Sequence, residues 1–302
     1  MPANATRTQP TRRVGIDLGG TKIEGVVLGA ENRPLFRHRV ATESAKGYEH
    51  IVDRIAMVAD ACRAQAPECA AIGIGTPGAI SSRDGTLKNS NTTCLNGRRL
   101  LDDLVDRLRM PVVMENDANC FALAEAIAGA GQDAALVFGV IIGTGVGGGI
   151  VHRGELLRGP QHLAGEWGHH SIDPAGPPCY CGQRGCVEAF ISGPAVEAGY
   201  GRLTGTKGAM VEIVSAYRHG DVRAAEVFAS FIDRFGRAVA NLIAILDPDV
   251  IVLGGGLSNI DELYTLGRET VARYVFNDEL RTPIRRNELG DSAGVIGAAL
   301  LV

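Results

Sequence analysis

Two glycine–threonine turns constrain the possible folds more than any other feature of this chain. Val14–Asp17 is a short run rich in β-branched residues that stops at LGGTK, and Ile23–Leu28 resumes as a second one. Leu18–Lys22 therefore reads as a hairpin turn. The arrangement returns near Ala135, where an apolar run meets the turn GTGVGG and another apolar run follows. Strand and helix patterns then alternate after each copy. A third strand is expected over Pro34–Thr42. Tyr48–Gln65 carries Ile51, Ile55, Val58, Ala59 and Cys62 at helical spacing. Further strands are expected at Ala70–Ile74, Val112–Met114 and Val250–Leu253, and helices at Leu101–Leu108, about Asn119–Ala128, Ala224–Leu246 and Ala293–Val302. The doubled pattern predicts two similar α/β lobes with a cleft between them. The expected division is a polar tail over 1–13, a first lobe over 14–118 with about 291–302, and a second lobe over 119–290.

A chain of 302 residues with 45% apolar residues can build two cores. Thirty Lys and Arg against 34 Asp and Glu give a net charge of -4, which argues against a nucleic-acid or membrane partner. Residues 1–13 lack the apolar centre of a signal peptide. Ala134–Val151 is long enough to span a membrane. Its glycines (Gly139, Gly143, Gly145, Gly147, Gly148 and Gly149) fit strand, turn and strand better. A cytoplasmic protein is expected.

Each turn has a use for glycine. In DLGGTK, Gly19 and Gly20 let backbone N–H groups come close to a phosphate, because no Cβ stands in the way. Thr21 adds a hydroxyl, Lys22 a cation, and Asp17 a carboxylate able to hold a metal-bound water. The competing reading is an ordinary hairpin turn. Gly143, Thr144 and Gly145 repeat the chemistry, with strand rather than helix after them, which is the wrong register for a dinucleotide fold. Two such turns at equivalent points suggest a polyphosphate held between lobes. Gly254, Gly255 and Gly256 follow a buried-type strand and precede a helical stretch, whose N-terminal N–H groups would suit a phosphate or leave room for an adenine.

The stretch GEWGHHSIDPAGPPCYCGQRGCVE holds Cys179, Cys181 and Cys186, with His169 ten residues before the first of them. Three thiolates and one imidazole are a closed tetrahedral set for structural zinc. His170 is adjacent, and spacing does not exclude it as the fourth ligand. A disulfide is the rival; an odd total of seven cysteines and the absence of a secretory signal argue against it. Cys62, Cys69, Cys94 and Cys120 read as inert buried residues. Glu166 and Glu188 bracket the cluster, so a metal there would fix two acidic side chains around a small polar ligand.

Asn116 and Asp117 sit in ENDANC, where a strand gives way to a helix. They read either as a helix N-cap or, for Asp117, as a general base for a hydroxyl attacking a phosphoryl group. Asn89 and Asn91 lie in a polar loop with amides suited to sugar hydroxyls, or simply to water. Trp167, the single tryptophan, is expected to pack its lobe.

DLGGTK, NDAN, IIGTGVGGGI, GEWGH, CYCGQRGCVE and DPDVIVLGGG, in that order from Gly15 to about Leu300, resemble the ROK family of repressors, open reading frames and sugar kinases. KNSNTTCLNG, ENDANC, CYCGQRGCVEAFISG and DPDVIVLGGGLSN look like the bacterial fructokinases of mannokinase type within it. The N-acetylglucosamine kinases differ more around Asn89–Gly97. The resemblance implies the actin-like, ribonuclease H-like ATPase fold, with ATP and Mg²⁺ in the cleft. It implies Asp117 as catalytic base and Asn91, Asn116, Glu166, His169, Glu188 and backbone near Gly78 as sugar contacts. His169, Cys179, Cys181 and Cys186 become the zinc ligands, with one nitrogen of His169 left for a sugar hydroxyl. Nine residues separate His169 from Cys179, a short spacer that puts one wall of the sugar site in doubt. The expected activity is phosphorylation of a hexose, fructose first and mannose or glucose next, at the 6-position. N-acetylglucosamine kinase and glucokinase are the alternatives, and a homodimer is expected. A sugar-responsive repressor would need a helix-turn-helix module, for which 13 residues before Val14 are too few. An actin-like filament subunit would have no use for the zinc and sugar set.

Overall fold

The structure, a computed structural model, describes residues 12–302. The expected tail lies outside them except for Arg12 and Arg13, and Arg13 already opens the first strand. The chain forms two compact units: the residues up to Cys120 together with Asp291–Val302, and Phe121–Gly290.

In the first unit β1 (Arg13–Leu18), β2 (Lys22–Leu28) and β3 (Pro34–Ala41) form an antiparallel meander. After α1 (Tyr48–Arg63), β4 (Ile72–Thr76) pairs parallel with β1. A small hairpin of β5 (Ala79–Ile80) and β6 (Leu87–Lys88) and then α2 (Leu100–Leu108) lead to β7 (Val112–Asn116), parallel to β4. The sheet order is β3-β2-β1-β4-β7. β4 starts two residues later than the sequence pattern placed it. Cys69 N–H still closes a turn on the Ala66 carbonyl, and pairing with β1 begins only at Val14 opposite Ile72.

Helix α1 buries Ile51, Val52, Ile55, Val58, Ala59 and Cys62, one stripe at helical spacing. It lies against β2 at Gly25, where a side chain would run into Val58 and Cys62. The C-terminal helix (Ala293–Leu300) comes closer still. A Cβ on Gly73 would overlap the Ala298 carbonyl, and one on Gly15 would overlap Val295 and Ala299 backbone. This helix therefore lies on bare strand backbone.

The second unit repeats the plan. After α3 (Asp117–Ala128) come β8 (Leu136–Ile142), β9 (Val146–His152) and β10 (Glu155–Leu156), again an antiparallel meander. A long loop precedes α4 (Glu188–Ile191), α5 (Gly193–Thr204), α6 (Met210–Arg218) and α7 (Val222–Leu246). Then β11 (Val250–Gly254) pairs parallel with β8, and after α8 (Leu266–Tyr274) β12 (Ile284–Arg286) pairs parallel with β11. The order is β10-β9-β8-β11-β12, position for position that of the first sheet. Gly139 and Gly254 here let Phe121 and Ala122 of α3 approach the strands. Phe228, Phe231 and Phe235 of α7 fill the centre of this core.

Ala134–Val151 is strand, turn and strand, as its glycines indicated. No helix among the described residues is long and apolar enough to cross a membrane. The close seat of the C-terminal helix carries a test. Gly73→Ala is expected to lose about 1–3 kcal/mol by overpacking, read as a lower urea midpoint. An unchanged midpoint would contradict that seat.

Candidate functional site

In the first unit the β1–β2 turn is closed by Gly19 N–H donating to the Lys22 carbonyl at 2.9 Å. Thr42 braces it, its hydroxyl donating to the Gly19 carbonyl at 2.7 Å and its N–H to the Thr21 carbonyl at 2.9 Å. Lys22 pairs with Glu24 at 3.7 Å. That carboxylate is buried and also takes Arg37 at 3.0 Å and Arg39 at 2.7 Å. Three cations thus face one carboxylate beside the turn, a cluster the motif alone did not disclose.

Asp17 ends β1 with its carboxyl directly over Gly75 and Gly294, where a side chain would press on it. Burial, then the negative charge of Asp117, pushes its pKa up to about 7, against the pull of Lys22. Asn116 ends β7 and Asp117 opens α3. Asn116 Oδ1 accepts from the Asn119 N–H at 2.7 Å, so the N-cap role belongs to Asn116. Asp117 Oδ1 accepts from its neighbour's N–H, Ala118, at 2.8 Å. Glu115, which sequence reasoning passed over, accepts from Asn116 N–H at 3.1 Å and Asn119 Nδ2 at 3.0 Å. Asn119 Oδ1 is left buried without a partner, an acceptor with unused capacity.

The loop carrying Asn91 belongs to the same unit. Asn96 clamps it, accepting from Ser90 N–H and donating to the Ser90 carbonyl, both at 2.9 Å. Asn91 itself is exposed at the tip. Gly78, at φ +87°, runs so close to Lys88 and Ser90 backbone that a side chain would not fit.

In the second unit the β8–β9 turn is closed by Gly143 N–H on the Gly145 carbonyl at 2.9 Å, and Gly193 N–H donates to the Gly143 carbonyl at 2.8 Å. Thr144 lies within this turn. Glu188 Oε2 accepts from Val146 N–H at 2.9 Å and would meet any side chain at Gly145. Gly255, at φ +79°, packs on the Ile142 carbonyl, and Gly256 N–H lies beside Gly143. Turn, glycine triplet and Glu188 are thus gathered together. The helical stretch expected after Gly254–Gly256 is different in kind. It is a 3₁₀ turn over Gly256–Asn259 and another over Asp261–Leu263, and α8 starts only at Leu266. Gly255 reaches its conformation by breaking the helical path, so no α-helix N-terminus stands at the triplet.

His169, Cys179, Cys181 and Cys186 bring four ligand atoms within 4.8 Å of one another. Cys181 and Cys186 sulfurs are 3.6 Å apart, and Cys179 Sγ is 3.6 Å from His169 Nδ1. A tetrahedron with zinc–sulfur bonds of about 2.3 Å has edges of roughly 3.8 Å, so these four atoms fit that ion. Burial pushes Cys186 up to about 12, while a backbone N–H from Gln183 lowers Cys181. A bound cation would favour all three thiolates. His170 turns elsewhere, Nδ1 to the Trp167 carbonyl at 3.2 Å and Nε2 to Asn241 at 3.4 Å. The choice that spacing left open falls on His169.

The second nitrogen of His169 has a partner within the same loop. Nε2 lies 3.0 Å from the hydroxyl of Tyr180, whose ring stands edge-on to the imidazole at a centroid distance of 5.1 Å. Burial of that hydroxyl, then Glu188, pushes Tyr180 up to about 12. Glu166 precedes the 3₁₀ turn Trp167–His169, and its carbonyl accepts from His169 N–H at 3.3 Å. Trp167 is buried, edge-on to Phe138, its Nε1–H donating to the Gly147 carbonyl at 2.8 Å. It packs its lobe, as expected.

Residues 13–302 match the pattern of the ROK family. The chain is 38% identical over 303 residues to an N-acetyl-D-glucosamine kinase of Vibrio atlanticus, covering 95% of this chain and 98% of that protein. The structure of a ROK hexokinase from Thermus thermophilus superimposes with a TM-score of 0.88 at 34% identity, over 96% of this chain and 97% of the other. That of a ROK family glucokinase from Streptomyces griseus, in complex with glucose and AMPPNP, gives 0.76 at 32%, over 96% and 99%. The doubled strand order is the actin-like, ribonuclease H-like ATPase fold, and the chain belongs to the ROK family.

Proposed function

We propose that the protein is an ATP-dependent sugar kinase that phosphorylates the 6-hydroxyl of a hexose or N-acetylhexosamine. N-acetyl-D-glucosamine stands first, glucose and mannose next. The similarity supports this class and favours the N-acetylglucosamine alternative over the fructose expectation, which it does not confirm. The observation that carries the reading is the approach of Asp117 to Asp17 in the unit that holds the Gly19–Lys22 turn. One carboxylate suits a hydroxyl proton, the other the cation that travels with a nucleotide.

In this reading the two Gly-Thr turns, with Gly254–Gly256, hold ATP through backbone N–H groups, Thr21, Thr144 and Lys22. Mg²⁺ accompanying the nucleotide would neutralise phosphate charge, and Asp17 is the carboxylate that would help hold it. Asp117 accepts the proton of the attacking hydroxyl. Asn91, Asn116, Glu166, His169, Glu188 and backbone at Gly78 hold the sugar. Phosphoryl transfer needs mainly alignment and charge stabilisation. Zinc, held by His169, Cys179, Cys181 and Cys186, would be structural, its four positions filled by protein. Thiolate ligation suits a cytoplasmic protein.

The first test is ADP release on N-acetylglucosamine, N-acetylgalactosamine, glucose, mannose and fructose. N-acetylglucosamine is expected to give the highest kcat/KM, and silence on all five would end the kinase reading. Asp117→Asn is expected to lower kcat by ~10²- to 10⁴-fold with sugar affinity retained; wild-type turnover would remove Asp117 from the chemistry. Stripping one zinc per chain is expected to weaken sugar binding by calorimetry, because His169 loses its anchor. Sugar affinity unmoved by chelation would contradict that.

Asp17 makes a separate prediction. A carboxyl raised from its ordinary value to about 7 holds a proton in the folded chain that the unfolded chain releases, across roughly pH 4–7. Its contribution favours folding below that window and is lost as pH rises through it. Asp17→Asn is therefore expected to melt higher than wild type, by more at pH 8 than at pH 5, with a gain on the order of 1–4 kcal/mol at pH 8. Turnover should be lost. A variant less stable than wild type at pH 8 would refute the buried-charge account.

A further inference from the structure

Tyr180 is not among the residues that any motif assigned. It lies between two of the thiols, in a turn closed by Gly182 N–H on the Cys179 carbonyl at 3.1 Å and Cys179 N–H on the Gln183 carbonyl at 2.9 Å. Its side chain is 74% exposed, yet its hydroxyl turns back to His169 Nε2 at 3.0 Å. Glu188 and Glu166 lie within electrostatic reach of that hydroxyl. Tyr180 thus stands among the same three side chains that the kinase reading gives to the sugar.

The tautomer follows from the other side of the ring. Nδ1 lies 3.6 Å from Cys179 Sγ, so a metal bound there would take its lone pair and leave the single ring hydrogen on Nε2. That hydrogen can serve one acceptor at full strength. Here the acceptor is the Tyr180 oxygen. We propose that Tyr180 is an internal competitor for the sugar: its hydroxyl occupies the His169 Nε2–H in the empty site and yields it to a sugar hydroxyl on binding. The inference rests on the kinase reading, and on its assignment of His169 to the sugar.

Exchange is favoured by what each partner gives up. The Tyr180 ring has solvent on most of its surface, so leaving His169 exposes little apolar area, and its freed hydroxyl meets water. A sugar hydroxyl held between Glu166 and Glu188 would have few other donors. The contact with Tyr180 therefore lowers sugar affinity by about the net worth of one hydrogen bond, and it protects the imidazole from other acceptors while the site is empty.

The test is calorimetric titration, without nucleotide, of zinc-replete wild type and Tyr180→Phe with the best sugar of the ADP-release panel. The substitution removes the acceptor and keeps the ring, and zinc content and melting temperature verify an intact fold. Tyr180→Phe is expected to bind sugar ~3- to 10-fold more tightly, with KM lowered by the same factor and kcat at saturation unchanged. Unchanged or weaker binding would overturn the proposal, the weaker case making Tyr180 a sugar contact in its own right. A wild type that neither binds nor phosphorylates any sugar fails at the kinase reading. A wild type that turns sugar over beside an unaffected variant fails at Tyr180 alone.

Discussion

In the first unit a helix rests on strand backbone with no side chain between. Gly15 and Gly73 pair across β1 and β4 and face the C-terminal helix. Asp17 lies two residues beyond Gly15 on the same face, since side chains alternate along a strand, and it pairs with Gly75. The helix that needs the bare glycines therefore begins level with Asp17, and Gly294 of its first turn touches that carboxyl. Helix N–H groups there favour negative charge, but the enclosure that brings them close also removes water. Burial is the foremost cause that raises the Asp17 pKa, ahead of the charge of Asp117. The same packing that closes the core thus places a carboxylate in a site it does not suit without a cation.

Charge near the first turn is sorted in a way that serves this. Asp17 and Asp117 repel one another, while a short distance along β2 the buried Glu24 gathers Lys22, Arg37 and Arg39. Glu24 holds three long cationic side chains in place, and its own charge is outnumbered. A ligand that brings both a cation for the aspartates and anionic groups for the cluster would relieve both imbalances together. A nucleotide with its magnesium is such a ligand. Either imbalance alone would be weak evidence, because ion pairs of structural origin are common. Their presence side by side, from the start of α3 across β1 and β2 to β3, is harder to explain by folding stability.

Much of this was legible in the sequence, for reasons that also mark where reading stopped. Strand, Gly-Thr turn and strand recur because backbone pairing needs a tight turn at both places, so the doubled sheet could be anticipated. Helices with wide apolar stripes, α1 and α7, were found. Helix α5 was not: it carries Gly193, Pro194, Gly199 and Gly201, which argue against a helix by propensity, and it forms because Ser192 caps it and α7 covers it. Helix α8 buries only Gly267, Thr270 and Val271, too few to give a period. The cluster of His169 and three cysteines was visible because metal chemistry demands particular atoms close together. Tyr180 was invisible because a lone tyrosine between cysteines says nothing about which way its hydroxyl turns. Gly15 and Gly73 gave no signal in the sequence, and their work is to admit a helix.

Glu188 links the Gly143–Gly145 turn to the loop that carries the cysteines. The sequence placed it beside the cysteines and suggested that a metal would hold it. Its carboxylate is instead held by Val146 N–H, at the end of the Gly143–Gly145 turn, and the turn's Gly145 leaves it room. The loop between His169 and Glu188 has a backbone frame of its own, with bridges between Ser171 and Cys186 and between Pro178 and Arg184. Metal binding then bears on His169 and Tyr180 far more than on Glu188. In the proposed reading, a sugar that draws on Glu188 would compete with, or add to, the bond that shapes the Gly143–Gly145 turn. If the proposed kinase sites hold, nucleotide and sugar would need no long path to sense one another, because the Glu188 oxygen 2.9 Å from Val146 N–H would serve both.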